Sequence, residues 1–553
     1  MNTVKVSILV LLLGICIINI PAQEALVSDT ERYYDFLALQ GLTERPYLNY
    51  RTLSDSAWEI APDAAHPWQG QNLGSTRKLF GDVSMRIYGP ELFMSGNTAA
   101  PYGQNDGALW QGRGFNTSLT GGIRFEGYGV ELTFKPQLAF SQNAAFDLIP
   151  REISGANYAG KADTFGYFWS RVDAPQRFGA DPFFTYDWGD SEVRYTWKTL
   201  TVGFGTQAVW LGPAYLNSML HSNNAPTYPK VDIGLRKQRI VIPKVNWYWG
   251  DVEARVWVGY LSESKFFDND DDNDHRMFHG LSFAYSPPGV LSGLTLFVNR
   301  VCIVPWEWEN LKYIWPSDTN TIEDQKASFG ASWVFSKAGL EVYGELGVDD
   351  FVPGGTNGKI EGYFRYPFHT MLYTVGLKKT IPIVPKRNIY GEIIFEWNSM
   401  EMSQDFQFQW AYSPYFHGVG GGQGYTNGGQ WLGAGSGWGG NSQYLEFKVY
   451  YPKGTSSLFF HRNNPDNNFI YSKTVNDVAS KALADKYFTS WKANFIVGLE
   501  TKYFLLNNLS IIGGFAYDLI INPQYYFNRP SNWDFQDEYW HNIHLNLGIQ
   551  YQL

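Results

Sequence analysis

The sequence predicts an all-β fold, a transmembrane antiparallel β-barrel of about 18 strands with a small N-terminal periplasmic helical element. Three observations lead to this prediction: the chain opens with an export leader, its strands have one apolar and one polar face, and short and long connections alternate. The predicted segments are a signal peptide at 1–22, an N-terminal periplasmic helical or plug segment at 23–78, and an outer-membrane barrel at 79–553.

The leader begins with a short polar start that includes Lys5 and continues as an apolar run at 6–20. Cleavage after Ala22 fits the layout of a secretory signal peptide. A membrane-anchoring helix is the alternative. It would need roughly 20 apolar residues, whereas this run is shorter and is interrupted by Gly14 and Asn19.

The segment that follows the leader does not alternate between apolar and polar residues. Asp29, Thr30 and Glu31 are predicted to cap a short helix that runs through 33–39 and stops at Gly41. We place this helix below or inside the mouth of the barrel. A flexible lead-in is the alternative.

The last strand has the clearest alternation in the chain. Between 543 and 553 the odd positions are apolar or aromatic, and the even positions are polar or glycine. Since side chains alternate across a strand, one face is predicted to meet lipid and the other the lumen. The pattern recurs at 130–135, 340–348 and 391–397. A half-buried strand of a soluble sandwich would look similar, and the final Leu553 departs from the aromatic residue that usually ends such barrels.

Connection lengths support the barrel independently. Short turns separate long polar stretches, and the two kinds of connection alternate, as they do in outer-membrane barrels. About nine loops and eight turns imply about 18 strands, with both ends of the barrel on the periplasmic side. The long stretches lie near 97–114, 142–190, 205–239, 262–278, 305–326, 349–368, 400–444, 462–491 and 522–541.

The composition suits a barrel that binds sugars and argues against a protein that binds nucleic acid. Aromatic residues make up 17% of the chain, and they serve both as membrane-interface girdles and as flat surfaces for sugars. A net charge of −10 argues against a nucleic-acid partner. Cys16 lies in the leader, which leaves Cys302 without a partner for a disulfide or a Cys-based metal site.

An acidic run is a weak candidate for a calcium site, because hard cations are bound by several oxygen ligands close together. The glycine and the final glutamate of the helix–loop–helix calcium motif are absent, so a solvated loop tip is the alternative. No cofactor is expected. The candidate ligands are Asp268, Asp270, Asp272 and Asp274.

Two loop segments carry the predicted glycan-binding residues. The stretch 418–440 is rich in glycine, and its aromatic rings and amides suit stacking and hydrogen bonding to a sugar. It lacks the Lys and the helical pattern of a phosphate-binding loop. The stretch 210–226 has similar chemistry, and packing inside the barrel is the alternative for both. The predicted residues are Trp210, Tyr215, Asn223, Asn224, Tyr425, Asn427, Gln430, Trp431 and Trp438.

Carboxylates on the predicted lumen faces raise the question of a glycosidase, which uses a pair of Asp or Glu residues. Charges in a lumen are ordinary, however, and Lys378 on a nearby strand is an expected partner. No Gly-x-Ser-x-Gly or His-Glu-x-x-His run occurs. We therefore predict that the protein is not an enzyme, although a triad assembled from distant positions stays open. The carboxylates are Glu341, Glu345, Asp349, Glu392 and Glu396.

Several short segments, taken in order, resemble the Wzi capsule-assembly family. The resemblance implies an outer-membrane barrel of about 18 strands with a periplasmic helical element. It also implies a lectin-like protein that helps to attach capsular polysaccharide to the cell surface. No ligand or binding residue is carried over, because the loops vary. The segments are 109–116, 212–213, 222–226, 293–294, 299–300, 324–325, 343–345, 349–350, 373–379, 424–430 and 432–435.

The first functional hypothesis is a polysaccharide-binding protein in the outer membrane of a Gram-negative bacterium, involved in capsule or exopolysaccharide assembly and attachment. Many weak contacts would sum along the polymer. The expected partners are capsular or exopolysaccharide, outer-membrane lipid and, less directly indicated, capsule-export machinery. The alternative is a channel or porin for small solutes or saccharides, which requires that the loop at 418–440 and the N-terminal element leave the lumen open.

Overall fold

A computed structural model describes residues 22–23, 28–61, 64–74, 76–149, 165–168, 172–268, 270–315, 324–349, 371–401, 422–437, 439–470, 491–525 and 538–553. No helix in these ranges is both long and apolar enough to cross a membrane. Apart from Ala22, the predicted signal peptide lies outside the described residues and stays a prediction.

Eighteen antiparallel strands form one closed wall, which confirms the predicted fold class. In chain order they are β1 (Val83–Asn97), β2 (Gly114–Gly127), β3 (Val130–Phe134 and Gln137–Ser141), β4 (Phe183–Asp187 and Glu192–Trp197), β5 (Leu200–Gly205), β6 (Lys230–Ile242), β7 (Trp247–Ser262), β8 (His275–Ser286), β9 (Leu294–Pro305), β10 (Asp324–Phe335), β11 (Leu340–Asp349), β12 (Leu372–Val384), β13 (Ile389–Ser399), β14 (Asn441–Tyr451), β15 (Gly454–Asn464), β16 (Ala493–Leu506), β17 (Leu509–Ile521) and β18 (Tyr539–Tyr551). β3 and β4 are each interrupted once and continue in the same position of the sheet.

Smaller elements accompany the wall. A short strand at Thr76–Phe80 pairs with the beginning of β1. Turns of 3-10 helix lie at Gly289–Leu291, Trp308–Ile314, Ser336–Ala338 and Pro385–Arg387. Two-residue strands lie at Ala22–Gln23, Tyr50–Arg51, Ala57–Trp58, Trp210–Leu211, Thr426–Asn427 and Gln430–Trp431.

The wall closes because the last strand pairs with the first. His544 of β18 lies opposite Asn97 of β1, and the antiparallel register continues to Gln550 opposite Glu91. Closure removes the free strand edges, whose unpaired backbone groups lipid could not satisfy.

The two faces of the wall are arranged as the alternation predicts. On β18, Leu545 is 55% exposed on the outside, whereas His544 and Gln550 are buried on the inside. On β3, Leu132 faces outward and Glu131 inward. The apolar outer surface therefore suits lipid, and the charged residues lie in the lumen.

Short and long connections are sorted to opposite ends, which we call the short-turn end and the long-loop end. Asn388 and Gly339 adopt positive φ angles of 53° and 58°, as tight turns require. Several predicted long stretches extend into strands, most of all those that include 183–187 and 230–239. Strands whose lumen face is charged, as at 230–239, resemble polar loops in sequence.

In the described part of the chain before the barrel strands there is one helix, α1 (Asp29–Leu39). Its N-cap is Ser28 rather than the predicted Asp29, because Ser28 Oγ accepts a hydrogen bond from the Glu31 N–H at 3.1 Å. The helix lies inside the barrel near the short-turn end, where the Phe36 ring stacks on Tyr450 of β14 with centroids 4.1 Å apart.

Candidate functional site

Three segments fill much of the interior of the barrel, and we call them together the plug. They are the N-terminal segment 28–74, the inner loop 206–229 between β5 and β6, and the glycine-rich loop 422–437 before β14. Tyr50–Arg51 pairs antiparallel with Trp210–Leu211, so that the first two segments share a small sheet inside the lumen.

A single carboxylate of the wall holds the tip of the inner loop. Glu396 of β13 accepts hydrogen bonds from the backbone N–H groups of Tyr215 at 2.6 Å, Leu216 at 3.2 Å and Asn217 at 2.7 Å. The Tyr215 hydroxyl donates to Glu446 of β14 at 2.7 Å. Because ionised acceptors make strong hydrogen bonds, the loop is fixed to the wall here.

The glycine-rich loop covers the inner loop from the long-loop end. The Tyr425 hydroxyl donates to the carbonyl of Leu220 at 2.7 Å, and the Ser222 N–H donates to the carbonyl of Leu432 at 2.8 Å. Met219, Leu220, Tyr425 and Leu432 belong to one buried apolar cluster in the lumen. The middle of the barrel is thus packed with the protein's own chain.

Buried ion pairs connect the N-terminal segment to the wall. Arg255 of β7 donates to Asp232 of β6 at 2.6 Å and to Asp55 of the plug at 3.1 Å. Arg194 of β4 donates to the same Asp232 at 2.5 Å. Since each charge has an opposite partner, removal of one member would leave an uncompensated charge inside the barrel.

Glu31 of α1 is a buried carboxylate inside the plug. It accepts a hydrogen bond from Trp58 Nε1 at 2.7 Å and one from the Tyr47 hydroxyl at 3.3 Å. Burial raises the pKa of Glu31 to about 8, more than the hydrogen bond from Trp58 lowers it. The carboxyl group is therefore mainly neutral at pH 7.

Four of the five carboxylates considered for catalysis, all except Glu345, have hydrogen-bonded or ionic partners among the described residues. Arg45 of the plug donates hydrogen bonds to both carboxylate oxygens of Glu341, at 2.8 and 2.7 Å. Lys378 Nζ lies 3.2 Å from the same carboxylate. Asp349 lies 3.0 Å from Lys326. Together with Glu396, these residues join the plug to the wall or one strand to the next.

A pocket of about 290 Å³, the outer pocket, lies at the long-loop end between the plug and the strands β15 to β18. Aromatic rings and polar side chains line it together. The rings include those of Trp110, Tyr167, Trp431, Tyr525 and Trp540, and the polar groups include those of Gln176, Asn463, Asp466, Lys492 and Asn494.

The rings of the outer pocket are held by contacts of their own. The Tyr167 ring meets Trp431 edge to face, with centroids 6.1 Å apart, and its hydroxyl donates to Asp466 at 2.6 Å. Among the described residues, Trp110 Nε1 and Asn463 Oδ1 are buried without a hydrogen-bond partner. The pocket thus combines fixed aromatic faces with amide-bearing side chains, which is suitable chemistry for a hydroxylated ligand.

The predicted aromatic residues occupy different places. Trp431 lines the outer pocket, whereas Tyr425 is buried in the plug. Trp210 and Tyr215 lie deeper, and Trp210 Nε1 donates to the carbonyl of Ala214 at 3.2 Å. Trp438 is outside the described residues.

Most of the predicted amides join loops to one another. Asn223 Nδ2 donates to the carbonyl of Asn105 at 3.2 Å, and Asn224 Oδ1 accepts from the Asn105 N–H at 2.7 Å. Asn427 Nδ2 donates to the carbonyl of Pro226 at 3.0 Å. Gln430 Nε2 reaches the carbonyl of Gly107 at 3.5 Å. That these amides bind a glycan stays a prediction.

The acidic run folds back on itself. The Asp270 N–H donates to Asp268 Oδ1 at 2.9 Å, and the Asp272 N–H donates to Asp270 Oδ1 at 3.3 Å. In the part of the chain that the structure describes, no group of three or more His, Cys, Asp or Glu residues is placed to hold a metal ion. The calcium site, which includes Asp274, stays a prediction.

Several residues of the outer pocket were not predicted. Trp110, Tyr167, Tyr525 and Trp540 come from separate connections or strand ends, which only the closed barrel brings together. Trp110 does lie in the segment 109–116 that supports the family resemblance. Trp540 and Tyr525 are aromatic residues near the end of a strand, whereas Tyr167 lies in the long connection between β3 and β4 and has no such signal.

The closed wall, its apolar outer face and its filled lumen define a class of protein, the plugged outer-membrane β-barrel. Residues 98–301 match the family model of capsule assembly protein Wzi. The predicted resemblance to the Wzi family is confirmed over this segment.

Solved structures add a likeness of fold over the whole chain. The structure of Wzi from Escherichia coli is described as that of an outer membrane protein involved in group 1 capsule assembly and a carbohydrate-binding β-barrel. It covers 97% of this chain and 100% of its own, with 11% identity and a TM-score of 0.54.

Two other structures are less similar. Pseudomonas aeruginosa OprD covers 88% of this chain and 98% of its own, with 9% identity and a TM-score of 0.37. Pseudomonas putida OprB covers 85% and 94%, with 10% identity and a TM-score of 0.36. Neither TM-score is high enough for these two structures to support a conclusion about this chain. No curated protein matches it in sequence.

Proposed function

We propose that this protein binds a capsular or exopolysaccharide at the outer pocket and contributes to its assembly or attachment at the cell surface, without catalysing a reaction. The observation that carries the proposal is an aromatic and polar pocket at the outer mouth of a lumen that the chain itself fills. The family match at 98–301 and the carbohydrate-binding E. coli barrel of the same fold support it.

The chemistry of the outer pocket suits a sugar. Aromatic rings such as Trp431 and Trp540 offer apolar faces to the C–H groups of a pyranose, and Asn463 and Asn494 offer amides to its hydroxyls. Each such contact is weak. A polymer gains affinity by engaging several copies of the protein on one cell, since linked binding events raise the effective concentration.

The plug favours binding over the alternative of a channel. Its segments are held to the wall at Glu396, Asp232 and Glu341, and within the part of the chain that the structure describes they pack an apolar cluster into the lumen. Association with outer-membrane lipid fits the apolar outer face. Association with capsule-export machinery stays a prediction of the family resemblance.

Retention of the host's own capsule or exopolysaccharide by the detergent-solubilised protein tests the proposal. Trp431→Ala should weaken retention about tenfold, which corresponds to about 1.4 kcal/mol, because one stacking face is lost. Trp431→Tyr keeps a ring and should retain more binding.

Trp308→Ala is the matched control, because Trp308 is 84% exposed at the long-loop end and does not line the outer pocket. Equal binding by all variants would move the site away from the outer pocket. Absence of binding by the unaltered protein would refute the proposal, and single-channel conductance would then test the channel.

A further inference from the structure

A segment that follows β9 lies against the outside of the wall. This segment, 306–315, contains the 3-10 helix Trp308–Ile314, and we call it the flap. Its Tyr313 ring belongs to one apolar cluster with Met277 of β8 and Val304 of β9. The flap is therefore folded down against these two strands at the long-loop end.

The alternation along β9 shows which side of the wall the flap covers. Leu296 and Val298 are exposed on the outer face. Side chains two residues apart in a strand share a face, and the pairing of β9 with both neighbours continues without a bulge. Arg300, Cys302 and Val304 therefore also point outward, but they are buried. The flap covers this part of the outer face.

An arginine of the wall holds the flap in place. Arg300 Nη1 donates to the carbonyl of Tyr313 at 2.8 Å and to that of Ile314 at 3.3 Å. Arg300 Nη2 donates to Gln325 Oε1 of β10 at 2.9 Å. Because charged donors make strong hydrogen bonds, the flap is fixed to the outside of the barrel.

The position of Arg300 along β9 indicates the height of the flap relative to the membrane. A strand crosses the apolar core of a bilayer with about 9–11 residues, and β9 has 12. The strand therefore ends close to the outer surface of the bilayer. Arg300 precedes the last residue, Pro305, by roughly 17 Å along the strand, at about 3.3 Å per residue. Since Arg300 contacts the end of the flap, the flap lies at the level of the outer leaflet.

The surface of the flap that is turned away from the wall carries three tryptophans. Trp308 is 84% exposed, Trp315 67% and Trp306 46%. Glu309 and Lys312 are exposed among them. Tryptophan is enriched at membrane interfaces, where its amphipathic ring sits at the level of the headgroups. A mixture of tryptophans and charged residues suits this layer better than the hydrocarbon core.

A second copy of the protein is the alternative occupant of this surface. The three rings together expose on the order of 300–500 Å². A stable protein interface buries roughly 800 Å² on each partner, so the patch is too small to hold two copies together. On β9 the patch is also continuous with Leu296 and Val298, which face lipid. Both observations favour lipid.

We propose that the flap is an interfacial anchor, which inserts Trp306, Trp308 and Trp315 into the headgroup layer of the outer leaflet. The anchor fixes the height of the barrel in the membrane on the side of β8 and β9. This inference requires the location in the outer membrane, but it does not depend on glycan binding.

Fluorescence quenching at single introduced cysteines tests the proposal. Trp308→Cys is labelled in the folded protein, in which Cys302 is buried, and is reconstituted into phosphatidylcholine vesicles. Val298→Cys is the lipid-facing reference, and Asp271→Cys, at an exposed position before β8, is the water-facing reference. Quenching by lipid brominated near the headgroup is compared with quenching by aqueous iodide. The ratio of the two should be at least threefold higher at position 308 than at 271.

An equal ratio at positions 308 and 271 would overturn the proposal, because the flap would then lie in water. Protection of position 308 from both quenchers would also overturn it and would indicate contact between protein copies. Absence of lipid quenching at position 298 would refute the membrane location itself. Heat-modifiable mobility in gels shows that each labelled protein is a folded barrel. A failure to retain polysaccharide would leave this inference intact.

Discussion

The wall and the plug of this barrel are specified in different ways. Each wall strand pairs with its neighbours in the sheet, and most repeat the same alternation, as β18 does against β17 and β1. The plug has little regular structure, and its contacts join residues that are far apart in sequence, such as Arg45 and Glu341. A periodic sequence pattern thus specifies the wall, whereas individual polar contacts specify the plug.

The difference extends to the forces that stabilise each region. The outer face of the wall is apolar because lipid surrounds it, so almost any apolar residue suffices there. The plug is joined to the wall by buried charges that are stable only when each finds its partner. Substitutions in the plug and among the lumen-facing residues that hold it should therefore depend on the particular partner, and substitutions on the outer face of the wall on polarity alone.

The largest expected effect is at the ion pairs that join plug to wall. Arg255→Leu leaves Asp55 and Asp232 without one of their cations and should lower the free energy of unfolding by about 3–5 kcal/mol. Protease cleavage within the N-terminal segment should also accelerate. Arg255→Lys keeps the charge and should recover part of the loss. An unaffected cleavage rate in Arg255→Leu would show that this group does not hold the plug.

The stability of the wall should depend instead on the polarity of the residue placed on its outer face. Leu547 of β18 faces outward, opposite Met94 of β1, and Leu547→Arg should cost about 2–4 kcal/mol if the position lies near the bilayer midplane. Asn546→Arg places the same charge on the lumen face and should cost less. Refolding into lipid vesicles at graded urea concentrations measures both. Equal losses would contradict the assignment of the two faces.

The smallest effect is a pH dependence of the plug. The pKa of Glu31 rises from an ordinary 4.5 to about 8 on folding, so its stabilising contribution is complete below pH 4.5 and is lost as the pH rises through 8. The free energy of unfolding should therefore fall steadily between pH 5 and 8 and level off above pH 8. Glu31→Gln stays neutral, and the Tm difference between the two proteins should grow in its favour with pH. A constant difference would show that Glu31 is ionised throughout.

The wall could be predicted from sequence because its signals are local. The apolar odd positions at 543–553 identify the outer face of β18, and the sorting of connections by length gives the number of strands. Strands such as β6 were partly missed, since Lys230 and Asp232 on its lumen face make it look like a loop.

The outer pocket could be predicted only in part. Trp431 was singled out by its glycine-rich surroundings, and it does line the pocket. No pattern in the neighbouring sequence distinguishes Trp110 or Trp540 from the aromatic residues that face lipid. Conversely, Asn427 looks like a ligand-binding amide in sequence but donates to the carbonyl of Pro226. Which amide holds a loop and which is free for a ligand depends on contacts between distant segments.

The pairing of Tyr50–Arg51 with Trp210–Leu211 has a consequence for the order of assembly. The N-terminal segment is made first, but Arg51 contacts a residue 161 positions later and Trp68 one 386 positions later. Contacts across such distances close slowly, because the entropy of a long loop is lost before they form. The plug should therefore be the last part of the protein to fold. Its N-terminal segment should remain in the periplasm until the final strands are in place.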